Sequence, residues 1–266
     1  MSRSIAVANQ KGGVAKTTTC VNLAAALVEM NRRVLVVDMD PQGHATMAAG
    51  IDKDADAPNG CDVLLEESPI ADAIVRTKAG IDVLPGNSDL TAAEIKLMDG
   101  LAREHRLASA LATVRGQYDY VQIDCPPSLS LLTINALTAA DSVLIPMQCE
   151  FFALDGLSKL MQTIKAIQSH TNPKLEIEGL LRTMYDGRNN LGQDVSAQLS
   201  EHFGEKLYRT IIPRNVRLAE APSHGLPITL YDRDSRGAIA YLGLAGEVLR
   251  RERSGREGTV EVAAHG

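Results

Sequence analysis

Residues 9 to 19 read Asn9-Gln10-Lys11-Gly12-Gly13-Val14-Ala15-Lys16-Thr17-Thr18-Thr19. This stretch lies between a short apolar run of strand type, residues 4–8, and a helical pattern of apolar residues over 17–30. A glycine-rich turn between a strand and a helix aims backbone N–H groups at a phosphate, and the helix N-terminus adds about half a positive charge. The order of strand, turn and helix predicts a phosphate-binding loop and a P-loop NTPase fold.

The loop departs from the standard pattern G-x-x-x-x-G-K-[ST] at both glycines, because Gln10 stands at the first and Ala15 at the second. Lys16 and Thr17 occupy the positions of the lysine and of the hydroxyl that binds Mg²⁺. Lys11 is an additional lysine that the standard loop does not have. The prediction of nucleotide binding therefore depends on the flanking strand and helix as much as on the pattern.

Apolar runs alternate with helical stretches along the rest of the chain, which is typical of a mostly parallel, twisted sheet with helices on both faces. The predicted strands cover residues 4–9, 33–39, 81–84, 119–124, 142–147, 177–183 and 207–212. The predicted helices cover residues 17–30, 90–115, 129–139, 155–170, 191–203 and 236–252. Because no linker or repeat divides the chain, we expect a single α/β domain over residues 1–253 and a polar, disordered tail over residues 254–266.

The composition is that of an ordinary globular protein, with 45% hydrophobic and 23% charged residues in a chain of 266. Aromatic residues make up 3%, which disfavours nucleic-acid binding by base stacking. The net charge of −6 is uneven, because residues 1–180 carry 15 basic and 22 acidic side chains while residues 181–266 carry 12 and 11. A local basic face for nucleic acid is therefore compatible with the later part of the chain.

Targeting and metal-binding signals are absent from the sequence. No stretch approaches the roughly 20 apolar residues that span a bilayer, and the chain enters a strand without an apolar leader, so we expect a cytoplasmic protein. The four cysteines show no C-x-x-C spacing, and the six histidines form no metal-ligand cluster. We interpret both sets as structural.

Two further predicted strands end in carboxylates, and the carboxyl ends of parallel strands form the edge where ligands bind. The second strand runs into Asp38-Met39-Asp40-Pro41-Gln42, and the strand over residues 119–124 ends at Asp124. Carboxylate oxygens suit a Mg²⁺ ion that bridges the β- and γ-phosphates of a nucleotide. For Asp38 and Asp40, capping of a turn before Pro41 is the alternative.

The run from Lys11 to Thr18 resembles the deviant Walker A motif of the ParA/MinD group of ATPases, with Lys11 at the place of the signature lysine. The resemblance implies an ATPase of weak intrinsic activity that takes ATP and Mg²⁺. It also implies a homodimer when ATP is bound, in which Lys11 reaches the partner's ATP, so that the monomer hydrolyses slowly. Ala15 departs from the glycine that is commoner at this place in the group.

The same resemblance implies roles for individual residues. Lys16 neutralises phosphate charge, Thr17 binds Mg²⁺, and Asp124 supports the metal through a water. Asp40 positions the attacking water. The loop residues that hold ATP are Lys11, Gly12, Gly13, Val14, Ala15, Lys16, Thr17 and Thr18. The segment after the last strand is similar to the adenine loop of the partition subgroup, which gives Pro213 and Asn215 as adenine contacts with Met184 opposite. A plain connector is the alternative there.

Within this group the resemblance is to the small chromosomal and plasmid partition proteins, ParA. Arg188 stands in a segment similar to one whose arginine contacts DNA without sequence specificity, and Arg214 and Arg217 are candidates to join it. A solvated surface charge is the alternative for each arginine. The resemblance implies a nucleoid-associated DNA-partitioning ATPase whose ATP dimer binds double-stranded DNA. It also implies that a ParB-type centromere-binding protein stimulates hydrolysis and releases the dimer.

A membrane-surface positioning ATPase of the MinD kind is the main alternative, because its phosphate loop is equally similar. That function uses a C-terminal amphipathic helix, and residues 236–252 combine apolar residues with Arg250 and Arg251. The continuation from Ser254 lacks a bulky apolar anchor, so we expect no stable membrane association. A further alternative is an enzyme with the same loop, an iron–sulfur reductase or an ATP-dependent ligase, although Cys125 and Cys149 do not match the arrangement of a bridging cluster.

Overall fold

The computed structural model describes residues 2–264, with side chains described through residue 254. The strands are β1 (Arg3–Val7), β2 (Val34–Asp38), β3 (Val75–Arg76), β4 (Asp82–Leu84), β5 (Tyr120–Asp124), β6 (Ser142–Met147), β7 (Glu176–Tyr185) and β8 (Leu207–Pro213). The helices are α1 (Lys16–Glu29), α2 (His44–Ala48), α3 (Gly60–Leu64), α4 (Ile70–Ala73), α5 (Asp89–Lys96), α6 (Arg106–Val114), α7 (Leu131–Ala139), α8 (Ala153–His170), α9 (Asn190–Phe203), α10 (Val216–Glu220), α11 (Ile228–Tyr231) and α12 (Arg236–Ala264).

The eight strands form one sheet in the order β3-β4-β2-β5-β1-β6-β7-β8. All neighbouring strands are parallel except β3 and β4, which are antiparallel. The chain winds outward from β1 in both directions, so the loop after β1 lies at the point where ligands bind in open α/β sheets. The predicted fold class is confirmed.

Helices cover both faces of the sheet and bury two apolar cores. One core lies under α3–α9, and the other lies under α1, α2 and α10–α12. The residues of β1 alternate between them, because Ala6 belongs to the first core while Ile5 and Val7 belong to the second. Every residue of β2 is buried, which explains why its sequence is apolar on both faces.

The seven predicted strands are all observed, with ends that shift by two residues at most. The short edge strand β3 is not predicted, because it has two residues and both are exposed. The single helix predicted over residues 90–115 is wrong, because the chain forms α5 and α6 there instead. Gly100 is extended and Ala102 has a left-handed φ of 50°, and these two conformations interrupt the helical backbone.

The last helix, α12, runs beyond its predicted end at residue 252, so residues 254–264 continue it. Tyr241, Leu244 and Val248 of this helix are buried in the second core, where α12 packs against α1 and β8. Residues 265 and 266 of the predicted tail lie outside the described residues, and the domain boundary at residue 253 stays a prediction. Within residues 2–264, no helix has both the length and the apolar character that crossing a bilayer takes.

Candidate nucleotide site

The phosphate loop, residues 8–15, joins β1 to α1 at the carboxyl edge of the sheet. Gly13 and Ala15 both have a left-handed backbone, with φ of 71° and 65°. This turn ends at Lys16, the first residue of α1, so the unpaired N–H groups of the first helical turn open toward the loop. A Cβ atom built on Gly12 or Gly13 meets nothing within 4 Å, which leaves room for a ligand beside the loop.

Side chains from other elements hold the loop in its conformation. Asn9 Nδ2 donates to the carbonyl of Pro146 at 2.8 Å, and Asn9 Oδ1 accepts from the backbone N–H of Lys11 at 3.0 Å. Gln148 Nε2 donates to the carbonyl of Gly13 at 2.9 Å. Neither Asn9 nor Gln148 is among the predicted site residues. The signal that points to Gln148 is its place directly after β6, at the carboxyl edge of the sheet.

Lys16 is the buried lysine of the site. It is 7% exposed, and its Nζ donates to the carbonyl of Lys11 at 3.2 Å. Burial lowers the pKa of Lys16, while the nearby carboxylates of Asp124 and Asp40 act in the opposite direction. Because an ammonium group has three donors, the bond to Lys11 leaves donor capacity for a phosphate oxygen. The role of Lys16 in neutralising phosphate charge stays a prediction.

Asp124 ends β5 beside the loop, in register with Val7 of β1 and Asp38 of β2. It is fully buried, and neither carboxylate oxygen has a hydrogen-bond partner among the described residues. Burial, and then the charge of Asp38, raise the pKa of Asp124 well above its usual range. The Thr17 hydroxyl lies near enough to lower this pKa, although it does not meet hydrogen-bond geometry.

An unpartnered buried carboxylate beside a hydroxyl is a donor set that fits Mg²⁺, which prefers hard oxygen ligands. In the part of the chain that the structure describes, no group of three or more His, Cys, Asp or Glu side chains is arranged to hold a metal ion. Thr17 and Asp124 supply two oxygen atoms, and a Mg²⁺ ion in a nucleotide site takes its other ligands from phosphates and waters.

Asp38 and Asp40 shape the segment that follows β2. The oxygens of Asp38 accept from the backbone N–H of Asp40 at 3.1 Å and from the N–H and hydroxyl of Thr46 at 2.8 Å each. Burial nevertheless raises the pKa of Asp38 to about 6. Asp40 is 9% exposed, and its Oδ1 accepts from the N–H of Gln42 at 3.0 Å. Both carboxylates cap the turn, and Asp40 keeps acceptor capacity for a water.

Met184, a predicted adenine contact, lies at the end of β7 with a left-handed φ of 48°. Gln148 Nε2 donates to Met184 Sδ at 2.9 Å, so Gln148 connects this side chain to the phosphate loop. Met184 lines a cavity of about 200 Å³ together with Glu150 and the exposed Arg214. The cavity is adjacent to the phosphate loop, because Gln148 also lines it.

The other predicted adenine contacts lie at the end of β8. Pro213 is in register with Tyr185 of β7. Asn215 is half-buried and caps α10, because its Oδ1 accepts from the N–H groups of Arg217 at 2.8 Å and Leu218 at 3.4 Å. Since this cap engages the side-chain carbonyl, only the amide N–H groups of Asn215 are available to a base. An adenine contact here stays a prediction.

Lys11 lies at the surface and pairs within its own chain. Its Nζ is 2.5 Å from Oε2 of Glu150, and the two side chains are 41% and 50% exposed. Glu150 is not among the predicted site residues, and it follows β6 at the same sheet edge as Gln148. The structure describes one subunit, so the contact of Lys11 with the ATP of a partner subunit stays a prediction.

The predicted DNA-contacting arginines differ in how they are paired. The side chain of Arg188 is 91% exposed, and its Nε and Nη2 donate to the two oxygens of Asp186 at 3.0 and 2.8 Å. This bidentate bond raises the pKa of Arg188 and lowers that of Asp186. Arg217 is 54% exposed and pairs with Glu220 and Asp232, at 2.9 and 3.3 Å. A DNA role for these arginines stays a prediction.

An AAA domain family model matches residues 2–177. Soj from Bacillus subtilis strain 168, a sporulation initiation inhibitor protein, is 54% identical over 249 residues, which cover 93% of this chain and 98% of that one. The chromosome partitioning protein ParA of Caulobacter vibrioides is 51% identical over 254 residues, which cover 94% and 95% of the two chains. The crystal structure of cobyrinic acid a,c-diamide synthase from Mycobacterium smegmatis, with ADP and magnesium, has a TM-score of 0.84 at 43% identity and covers 96% and 97%.

Proposed function

The chain belongs to the ParA/Soj family of chromosome-partitioning ATPases, and we propose that it partitions DNA as an ATP-dependent dimer that binds double-stranded DNA without sequence specificity. A ParB-type centromere-binding protein stimulates hydrolysis and releases the dimer, and the cycle takes place in the cytoplasm on the nucleoid. The observation that carries the proposal is the meeting of a helix N-terminus, the buried Lys16 and the unpartnered Asp124 at one sheet edge.

Phosphoryl transfer to water needs positioning and neutralisation of developing charge more than covalent help from the protein. Lys16 donates to the β- and γ-phosphates of ATP, and the N–H groups of the first turn of α1 bind phosphate oxygens. Thr17, and Asp124 through a water, would hold Mg²⁺, which would supply positive charge to the β- and γ-phosphates when bound. Asp40 accepts a hydrogen bond from the attacking water and orients it toward the γ-phosphate.

Lys11 completes the partner's site rather than its own. Its ammonium adds positive charge where the γ-phosphate develops negative charge, as an arginine supplied in trans does in other nucleotide hydrolases. Its exposure at the surface supports this role, because a second subunit can reach it. A lone subunit lacks this charge and hydrolyses slowly, so dimer formation and hydrolysis together act as a timer.

The proposed DNA contacts are arginines at the carboxyl edge of the sheet, where the nucleotide site also lies. The exposed Arg188 and Arg214 follow β7 and β8 at the carboxyl edge, and both lie close to Asp186. Guanidinium groups bind phosphate oxygens in a planar fork, and contacts of this kind do not read base sequence. The proposed DNA affinity is therefore electrostatic and falls steeply with salt.

The membrane alternative differs in what α12 must do. Tyr241 and Val248 of that helix are buried in the second core, so this face is not available to a lipid surface unless the core opens. Binding through α12 would have to use exposed residues such as Ile239, which is 60% exposed. The partition function therefore fits the packing of this helix better.

The experiment measures binding of the purified protein to random-sequence DNA and to anionic liposomes, each with ATP, with ADP and without nucleotide. We expect the protein to bind DNA only when ATP is present and not to bind liposomes. The logarithm of the DNA association constant should fall by about 0.9 for each phosphate contact per tenfold rise in salt concentration. Arg188→Glu should keep ATP-dependent dimerisation and lose DNA binding. ATP-dependent binding to liposomes without binding to DNA would support the membrane alternative instead.

A further inference from the structure

We propose that Glu150 is a positioning residue that holds Lys11 within its own subunit until ATP brings two subunits together. The inference rests on the proposed function, in which Lys11 serves the partner's ATP. The ammonium of Lys11 and the carboxylate of Glu150 are 2.5 Å apart. A charge-assisted bond at this distance fixes the direction of a long, flexible side chain. Lys11 must break the bond before it can cross to a partner.

Glu150 is itself held beside the phosphate loop. Its backbone N–H donates to the carbonyl of Gln148 at 3.0 Å, and its own carbonyl accepts from the N–H of Ala153, at the start of α8, at 2.9 Å. Gln148 in turn donates to the carbonyl of Gly13. The segment of residues 148–150 thus contacts the phosphate loop twice, at Gly13 and at Lys11. Its backbone therefore presents the carboxylate to Lys11 in a fixed place.

The two residues after Glu150 form an exposed surface that a second copy of the chain can contact. Phe151 and Phe152 are 72% and 71% exposed, with ring centroids 5.0 Å apart. They are two of the three phenylalanines in the chain. Aromatic side chains are enriched in the buried centre of protein interfaces, so an adjacent exposed pair marks a contact surface. A second copy that docks on these rings meets Lys11 and Glu150 at the same time.

The size of the effect follows from the exposure of the pair. A half-exposed ion pair changes an equilibrium constant by about 1.4- to 5-fold when it is broken. A symmetric dimer breaks the pair in both subunits, so the factor is squared. Removal of the Glu150 charge should therefore tighten the ATP-dependent dimer by about 2- to 25-fold. Glu150 would thereby set the protein concentration at which the ATP-bound dimer forms.

The test measures the dimer dissociation constant by sedimentation, with Mg²⁺ and a non-hydrolysable ATP analogue. Glu150→Gln should tighten the wild-type dimer by the factor given above and should have no effect in a Lys11→Ala background. Glu201→Gln changes an exposed glutamate on α9 and is the matched control.

The outcomes separate this inference from the proposed function. If the wild-type protein dimerises with the analogue and Lys11→Ala weakens the dimer, while Glu150→Gln leaves it unchanged or weaker, the role of Glu150 is overturned and the proposed function stands. Tightening by Glu150→Gln that persists in the Lys11→Ala background also overturns the role. If the wild-type protein stays monomeric with the analogue, both the proposed function and the role of Glu150 fail.

Discussion

Asp38 and Asp124 are partners in the parallel register of β2 and β5 and are both fully buried, but their oxygens have opposite surroundings. Asp38 accepts three hydrogen bonds, from Asp40 and Thr46, whereas Asp124 has none among the described residues. Asp38 therefore fixes the turn after β2. Asp124 is a buried carboxyl whose charged form a cation would stabilise. This difference distinguishes a carboxylate that holds a turn from one that can bind a metal ion.

Asp124→Asn should make the nucleotide-free protein more stable. The substitution removes a carboxyl whose charged form is disfavoured by burial and by the charge of Asp38, although the amide that replaces it also lacks partners, so we expect a gain of about 1 kcal/mol. Urea unfolding of the wild type, of this variant and of Asp234→Asn, an exposed control, measures the difference. The variant should also lose the stabilisation that Mg²⁺ and ATP give to the wild type. Lower stability of Asp124→Asn without nucleotide would mean that the carboxylate has a partner in the folded protein.

The pKa of Asp38 predicts a pH dependence of stability. Burial raises this pKa from 3.8 to about 6, so between these pH values the folded protein binds a proton that the unfolded chain has released. The contribution of Asp38 to the free energy of unfolding therefore falls as pH rises, by about 2 kcal/mol from pH 4 to pH 6. The difference between the wild type and Asp38→Asn should shrink by this amount. A difference that grows with pH would show that the three donated hydrogen bonds keep Asp38 charged.

The backbone conformation of Ala15 predicts that a glycine at this position stabilises the folded protein. Its left-handed φ of 65° costs an L-residue roughly 1 to 2 kcal/mol, whereas glycine adopts this conformation freely. Ala15→Gly should raise the free energy of unfolding by about 0.5 to 1 kcal/mol, because the freedom of glycine in the unfolded chain offsets part of the gain. Ala112→Gly, at an exposed position inside α6, should lower it by about 1 kcal/mol. Equal losses in the two variants would contradict strain at Ala15.

The ion pair between Asp186 and Arg188 predicts that removal of the Asp186 charge tightens DNA binding. Its carboxylate pairs with Arg188 through two hydrogen bonds and neutralises the guanidinium charge. Asp186→Asn should therefore strengthen ATP-dependent DNA binding and steepen the slope of log K against log salt by about 0.9, the value for one phosphate contact. Titration of fluorescent random-sequence DNA at several salt concentrations measures both quantities. Unchanged affinity would place the DNA-binding surface away from Arg188.

The sheet is predictable from the sequence because its inner strands are apolar runs. Each residue of β2 and of β5 is buried, so the composition of these segments reports their place directly. The edge strand β3 gives no such signal, since both of its residues are exposed. The break between α5 and α6 is missed because apolar residues keep a helical spacing across it, although Gly100 and Ala102 leave the helical conformation.

The nucleotide site is predictable where its residues are close in sequence or end a strand. Lys16 and Thr17 follow the loop directly, and Asp124 is the last residue of β5. The bond between Lys11 and Glu150 joins residues 139 positions apart, so it depends on the packing of β6 beside β1. The capping role of Asn215 is likewise set by the start of α10. Local patterns predict the chemical groups of the site, and tertiary contacts determine their partners.

The transfer of Lys11 between subunits can be measured with two variants that are each inactive alone. Lys11→Ala lacks the lysine, and Asp40→Ala lacks the water-positioning carboxylate. In a mixed dimer, the ATP bound to the Lys11→Ala subunit meets its own Asp40 and the lysine of the partner, so that site should hydrolyse ATP. An equal mixture should therefore show about one quarter of the wild-type rate per site, because half of the dimers are mixed and each has one complete site. A mixture no more active than its separate components would contradict a lysine that acts across the dimer.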